Sequence, residues 1–503
     1  MNLMMLLEMA ASSFPERVAV QNGEDRLTFA ELFSAAGVAA EQIAHSGAKH
    51  VASLDVSSLA LPVGFFAAAW AGLPFVPLNY RLTGAELDRL VEQIEPAYLV
   101  TDAERASSLA GRSGAIVSSR EQFLAMARGG GARDLAWPME PEDIAILLFT
   151  SGTTGPPKAA VLRQKHIVSY ILGAVEFGSA GEDDASLVSV PPYHIAGMSA
   201  LASSIYSGRR IVQLANFSAQ AWLELARRER VTYAFVVPTM LSRIVEALEG
   251  CESADLPHLR AISYGGGKMP LSVIERAMRM LPETHFTNAY GLTETSATLT
   301  VLGPDDHRAA AASDDPAVRR RLTSVGRPLP TIEIEIRDED GKTLAAGERG
   351  EICVRGEQVS GEYLGKATRV GSDGYFPTHD GGWLDDEGYL FLEGRMDDII
   401  VRGGENMSPG EIEDVLLQHE AVADVAVVGV PDEQWGEAVA AVVVVAPGHD
   451  VSADALREFV KQHLRSSRAP ERIEFRSELP YNETGKLLRR EVRAWLGDAA
   501  ASS

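Results

Sequence analysis

The chain has 503 residues, 46 % of them apolar and 23 % charged, a composition that packs as two or three ordinary globular units and confines disorder to ends and loops. Its formal charge of −24 repels nucleic acid and anionic membrane, so a small anion would have to be held by local cations, backbone amides and a metal. Only Cys251 and Cys353 occur; with no basic leader and no apolar run of spanning length, this argues against a disulfide scaffold, a structural zinc site or a membrane span, and a soluble, cytoplasmic protein is expected.

In chain order, MNLMMLLEMAASSFPERVAV reads as an amphipathic first helix carrying Glu8 and Glu16. From Leu27 to Asp102 helix-like and strand-like stretches alternate: TFAELFSAAGVAAEQIAHSG, HVASLDV, ALPVGFFAAAWAG, PFVPLN, a helix from Thr83, and AYLVTD. Such alternation predicts βα units on a largely parallel sheet. The connector ARGGGARDLAWPMEPED precedes the strand IAILLFT, and β-rich runs follow in ASLVSVPPYH, RRIVQL, VTYAFVVPTM, LRAISYGGG and HFTNAYG, each ending in loop residues. In open α/β sheets ligands sit at such strand ends. From Ser324 to Phe391 short strands with glycine turns predict a small β subdomain. The last hundred residues read as an α+β unit with a helix from Ser408, strands VADVAVVGVP and AVAAVVVV, a helix from Ser452 and the edge ERIEFRSEL. The fold class expected is therefore α/β.

Five segments carry chemistry. TSGTTGPPK (150–158) combines the hydroxyls of Thr150, Ser151, Thr153 and Thr154 with Gly152 and the cation Lys158, a set that suits phosphate oxygens although its spacing is not that of the G-x-x-x-x-G-K-[ST] loop. YGLTE (290–294) offers Tyr290 as a flat face for a purine, Thr293 as a phosphoryl donor and Glu294 as a hard oxygen ligand for Mg²⁺. Gly265, Gly266 and Gly267 in YGGGK permit close backbone approach to a planar base. In THD, Asp380 can accept both ribose hydroxyls, with Arg395 assisting, and Lys486 in TGK can reach an anion from a loop. Taken singly, each also reads as plain structure: a polar turn, a core tyrosine, a surface glutamate or lysine.

Together and in this order TSGTTGPPK, PPYH, YGLTE, THD…GR and TGK resemble the adenylate-forming enzymes: acyl-CoA and aryl-CoA synthetases, luciferase and the adenylation domains of peptide synthetases. The resemblance covers about residues 10–493. It implies a large N-terminal portion, residues 1–396, of two α/β subdomains plus a β subdomain, followed by a mobile α+β C-terminal domain, residues 397–503. It implies further that the 150–158 loop holds the β- and γ-phosphates of ATP, that Tyr290 and Gly265–Gly267 frame adenine, that Glu294 ligates Mg²⁺ beside Thr293, and that Lys486 bridges substrate carboxylate and α-phosphate. Asp397 takes the hinge position, and Gly403, Gly404 and Trp435, the last in DEQWGE, the CoA-binding positions; Arg468 and Arg472 are further candidates for the CoA phosphates.

His194 in PPYHIAG corresponds to a residue that borders the carboxylate pocket of acyl-CoA ligases. IAGMSALASS offers no acidic residue to bind a substrate amino group, against an amino-acid-activating module, and Asn288 and Ala289 stand where malonate-type synthetases carry an arginine. The expected reaction is therefore ligation of a monocarboxylic acid with an apolar body to CoA, at the expense of ATP. The alternative is a stand-alone enzyme loading an acyl carrier protein. Three departures from the family pattern stand out: His379 and Ala159 at positions usually held by glycine, and an irregular SGEYLGKATRVGSDGYF segment.

Overall fold

The structure, a computed structural model, describes residues 1–82, 84–130, 136–150, 158–251, 254–403, 405–432, 434–482 and 487–498. Alternation in the N-terminal sequence becomes two sheets. One has six strands in the order Ala115–Ser119, Ala97–Thr101, His50–Leu54, Phe75–Pro77, Ile144–Thr150 and Lys158–Arg163. Its neighbours are parallel except for the last two, which pair antiparallel. The other has nine strands: Arg327–Pro328, Ala297–Leu302, His285–Leu292, Ala261–Gly265, Tyr233–Val236, Ala185–Val188, Arg210–Gln213, Val18–Asn22 and Asp25–Thr28. The run from His285–Leu292 to Val18–Asn22 is parallel, and antiparallel strands finish both edges.

The intervening helices follow from local chemistry. Phe29–His45 starts at Thr28, whose hydroxyl accepts from Glu31 N at 3.2 Å while the Glu31 carboxylate accepts from Thr28 N at 2.8 Å, a reciprocal cap that satisfies two otherwise orphaned amides. Its buried stripe, Phe29, Leu32, Ala36, Ala39, Ala40 and Ile43, enters the main core. Two expectations are corrected. The first helix spans only Met4–Ser13; Pro15 has no amide to continue it, and Val18–Asn22 becomes a strand beside Arg210–Gln213. In VTYAFVVPTM the strand ends at Val236, and Pro238 opens the helix Pro238–Ala247, where its fixed φ suits the first turn.

Two compact units divide the chain: Met1–Glu333 with Arg355–Phe376, and Ile334–Val354 with Pro377 onward. The second unit contains most of a four-stranded sheet, in the order Glu333–Arg337, Gly350–Arg355, Phe376–Leu384 and Leu390–Arg395. It is tied to the C-terminal region of its unit by Arg349, which pairs with Glu393 of the sheet at 3.0 Å and with Glu411 at 3.6 Å, and by Ser408 Oγ, which donates to Glu393 O at 2.8 Å. The C-terminal sheet centres on Val422–Asp432 and Gly436–Val445, flanked by Ile400–Arg402, Glu405–Met407 and Arg472–Arg476. Side chains alternate faces along a strand, so Val427 and Val439 join Ile412, Leu416, Leu456 and Val460 in one core, while Val428 and Val442 join Val492 and Leu496 in another.

Candidate active site

Parallel strands deliver the residues that follow them to one edge of a sheet. In the nine-stranded sheet that edge receives Pro191–His194 after Ala185–Val188, Pro238 after Tyr233–Val236, Gly265–Gly267 after Ala261–Gly265, and Tyr290 to Glu294 from His285–Leu292. The structure thus brings the glycines, the tyrosine and the acidic residue of two distant motifs onto adjacent strands. Gly265 lies opposite Ala289, and a Cβ there would stand 2.1 Å from the Ala289 carbonyl oxygen. Gly266, at φ +82°, and Gly267 are exposed. Tyr290 is 9 % exposed. Tyr264, directly before the glycines, donates from its hydroxyl to His307 Nε2 at 2.8 Å, and His307 Nδ1 donates to Gly303 O at 2.8 Å. Burial pushes the phenol up and holds the imidazole down, so this pair stays neutral beneath the loop.

Thr293, Glu294 and Thr295 form a single 3-10 turn. Thr295 Oγ1 accepts from Leu292 N at 3.0 Å, and the chain leaves through Ser296 at φ +58° and Ala297 at φ +115°, a strained backbone for residues with a Cβ. Three residues outside the sequence-predicted set hold this turn. The Glu294 carboxylate accepts the hydroxyl of Tyr363, Ser360 N donates to Glu294 O at 2.8 Å, and Gln358 Nε2 donates to Thr295 O at 3.0 Å and Thr298 O at 2.7 Å. Burial and then the Glu294 charge push the Tyr363 phenol up, keeping it a donor. The available signal was Tyr363 itself, in a segment read only as irregular. For Mg²⁺ the donor set fits: the ion prefers hard oxygen and takes most of its coordination from phosphate and water, so one carboxylate suffices.

Thr150 and Lys158 face each other where the six-stranded sheet's last two strands pair, and Thr150 Oγ1 donates to Lys158 O at 3.3 Å. These feet close the loop; Ser151, Gly152, Thr153 and Thr154 lie outside the described residues. Ala159 is a buried strand residue paired with Phe149, so alanine is compatible there. His194 precedes the helix Ile195–Ser207, its ring 4.6 Å from Tyr193, which meets Tyr80 edge-on at 5.4 Å. Burial, assisted by the Arg81 charge, lowers His194 to about 4. Among the described residues its buried Nε2 has no hydrogen-bond partner, so His194 presents a neutral polar atom beside aromatic rings.

In the second unit Asp380 and Arg395 are cross-strand partners with an ion pair of 3.2 Å, and Arg395 also donates to Thr378 O at 2.8 Å. His379 has φ +59°, which explains the usual glycine; Glu351 anchors it by accepting from His379 N at 3.0 Å and pairing with Nδ1 at 3.2 Å. Asp397 is exposed in the turn Met396–Asp398. Gly403 and Trp435 are brought together: Gly403 N donates to Trp435 O at 2.7 Å, and at φ +58° a Cβ would stand 2.8 Å from the indole. The Arg402 guanidinium lies 5.2 Å from the centre of the same ring, which is 42 % exposed. Arg468 is engaged by Glu405 at 2.7 Å and Glu411 at 3.2 Å, and Arg472 by Glu474 and Leu496 O. Gly404 and Lys486 lie outside the described residues, although Tyr481 and Leu487 pair across the base of the lysine loop.

Residues 7–364 match the family model of the AMP-binding enzyme, and residues 411–486 match the AMP-binding enzyme C-terminal domain. A 2-succinylbenzoate–CoA ligase of Bacillus licheniformis is 33 % identical over 97 % of this chain and 98 % of its own. A fatty acid–[acyl-carrier-protein] ligase of Streptomyces coeruleorubidus is 33 % identical over 86 % of this chain and 84 % of its own. Among solved structures, the o-succinylbenzoate CoA synthetase of Bacillus subtilis in complex with its acyl-adenylate intermediate superposes with a TM-score of 0.82 at 30 % identity, covering 97 % of both chains; the same enzyme with ATP and a magnesium ion gives 0.81. With both family models matched in order and Gly265–Gly267, Tyr290 and Glu294 gathered at one sheet edge, this chain belongs to the AMP-binding, adenylate-forming enzymes.

Proposed function

We propose that the enzyme joins a carboxylic acid to CoA in two steps. A carboxylate oxygen of the acid attacks the α-phosphorus of ATP, pyrophosphate leaves, and an acyl-adenylate forms; the CoA thiol then attacks the acyl carbon, AMP leaves and the thiol proton is lost. The observation that carries this reading is the convergence of Gly265–Gly267, Tyr290, Thr293 and Glu294 on neighbouring strand ends, a geometry suited to an adenine with its phosphates. In this assignment Thr150–Thr154 and Lys158 hold the departing phosphates, and Asp380 with Arg395 holds the ribose. Lys486 stabilises the charge that develops on carboxylate and α-phosphate. Glu294 would hold Mg²⁺, which when bound offsets phosphate charge. Asp397 serves as the hinge that exchanges Lys486 for the Gly403, Gly404 and Trp435 surface, against which pantetheine packs. No helix among the described residues is long and apolar enough to cross a membrane, in keeping with a cytoplasmic site of action.

The acid is a monocarboxylate with an apolar body. Tyr80, Tyr193 and neutral His194 supply an aromatic wall, and Asn288, where an arginine would neutralise a second carboxylate, is buried and donates to Ser324 O at 3.1 Å. A second reading, transfer to an acyl carrier protein, is favoured by the Streptomyces relative named for that acceptor. Incubation of aryl, alicyclic and alkyl acids with ATP, Mg²⁺ and CoA, with AMP, acyl-adenylate and thioester followed by mass spectrometry, tests both. Acyl-CoA with AMP is the expected outcome; adenylate without thioester would move the acceptor to a carrier protein, and no acid-dependent AMP would overturn the adenylation reading.

A further inference from the structure

Glu294 sits on a one-turn 3-10 helix with a strained exit, so something else must aim its carboxylate. That support comes from a strap, Gln358–Leu364, that is bonded on both sides. Toward the glutamate, Ser360 N and Gly361 N donate to Glu294 O at 2.8 and 3.2 Å, and the Tyr363 hydroxyl donates to the carboxylate. Toward the strand leaving the phosphate loop, Leu364 N donates to Ala159 O at 2.9 Å and Val161 N to Glu362 O at 3.0 Å, Tyr363 bridges Ala160, and Ser360 Oγ donates to Val161 O. Glu362 adds a bidentate pair to Arg163, at 2.9 and 2.7 Å. Arg369, whose backbone amide donates to Gly361 O at 2.9 Å, also hydrogen-bonds the Tyr363 phenol.

We propose that Tyr363 is a positioning residue: through its hydroxyl it aims the Glu294 carboxylate at the phosphate-bound cation, and through its backbone it ties that carboxylate to the strand beginning at Lys158. The two ends of one phosphate chain are thereby held at a set separation by one segment. A group that orients a metal-binding carboxylate typically changes metal affinity by about 10–100-fold when removed. The proposal rests on the reading that Glu294 holds the cation of Mg-ATP, and its test separates the two.

Calorimetric titration of ATP into the full-length enzyme, with Mg²⁺ and with EDTA, is compared for wild type, Tyr363→Phe and Glu294→Gln, alongside acyl transfer to CoA from supplied acyl-adenylate. Tyr363→Phe is expected to raise the Mg²⁺ concentration for half-maximal ATP binding about tenfold, with ATP affinity in EDTA and acyl transfer unchanged. Equal weakening with Mg²⁺ and with EDTA would assign Tyr363 to packing alone and overturn the proposal. Wild-type Mg²⁺ dependence in Tyr363→Phe, with that dependence lost in Glu294→Gln, would overturn it while sparing the Glu294 reading; unchanged Mg²⁺ dependence in Glu294→Gln would remove the reading itself. If Tyr363→Phe does not fold, Arg369→Gln decides by the same titrations: a rise in the Mg²⁺ requirement alone supports the relay through the phenol, and no rise overturns it.

Discussion

Gly265 and Tyr290 occupy neighbouring parallel strands whose register runs over five residue pairs, and Glu294 follows on the turn that leaves the second of them. Among the described residues Gly403 and Trp435, by contrast, meet through one backbone hydrogen bond and an exposed ring, and Tyr481 and Leu487, on either side of the segment with Lys486, share one bridge. Gly265 and Tyr290, assigned to adenine, are thus fixed by a sheet, while Gly403 and Trp435, assigned to CoA, meet beside short turns. The difference teaches where motion is cheap: opening a surface turn costs far less than breaking a central strand. The proposed two-step reaction, in which the nucleotide stays in place while the groups around it change, calls for that division.

The sharpest way to break the comparison is Lys486→Ala. Acid-dependent pyrophosphate exchange should fall about 10²–10³-fold, the loss expected on removing one charge-stabilising donor, while CoA thioester formation from supplied acyl-adenylate stays intact; equal loss of both would mean that one arrangement serves both steps. Next in size is Gly265→Ala. The new methyl group would meet backbone rather than a flexible side chain, so a loss of about 3 kcal/mol in urea unfolding is expected, accompanied by weaker ATP binding. A fully stable variant would show that the sheet edge is less rigid than its register implies.

A third effect follows from His194, lowered to about 4 by burial and by Arg81 from an ordinary 6.5. Between those values the unfolded chain takes up a proton that the folded chain does not, so the stability is complete above about pH 6.5 and is lost as pH falls toward 4. His194→Gln should reduce the loss by about 2 kcal/mol between pH 7 and 4, read as the difference between wild-type and variant denaturation curves; parallel curves would place the imidazole in water. The smallest effect is expected at Trp435→Ala: a KM for CoA raised about tenfold with pyrophosphate exchange unaltered, the signature of binding surface lost from one step only.

Much of the site was legible because its chemistry is local. A hydroxyl-rich loop after a strand, glycines before a helix and a carboxylate beside a tyrosine are recognisable within ten residues, and their order along the chain carried the resemblance. The strap was not legible. Tyr363 and Glu294 are 69 residues apart, and nothing within SGEYLG announces which carboxylate its phenol meets. The unusual His379 was visible as a departure, but its meaning came from a left-handed backbone and from Glu351, 28 residues earlier.

By itself the sequence determined the alternation of helices and strands, the caps that start helices at Thr28 and Ser452, the two-faced valine pattern of the C-terminal sheet, and the residue types able to handle a nucleotide, because each depends on backbone geometry and periodicity over a few residues. Tertiary structure alone decided that Val18–Asn22 joins a sheet partner almost two hundred residues away, that the small four-stranded sheet packs with the C-terminal region, and that Gln358, Ser360 and Tyr363 brace the turn bearing Glu294. These outcomes depend on which apolar faces and strand edges find each other, and that choice is settled by burial and hydrogen bonding across the whole fold rather than by any local stretch of chain.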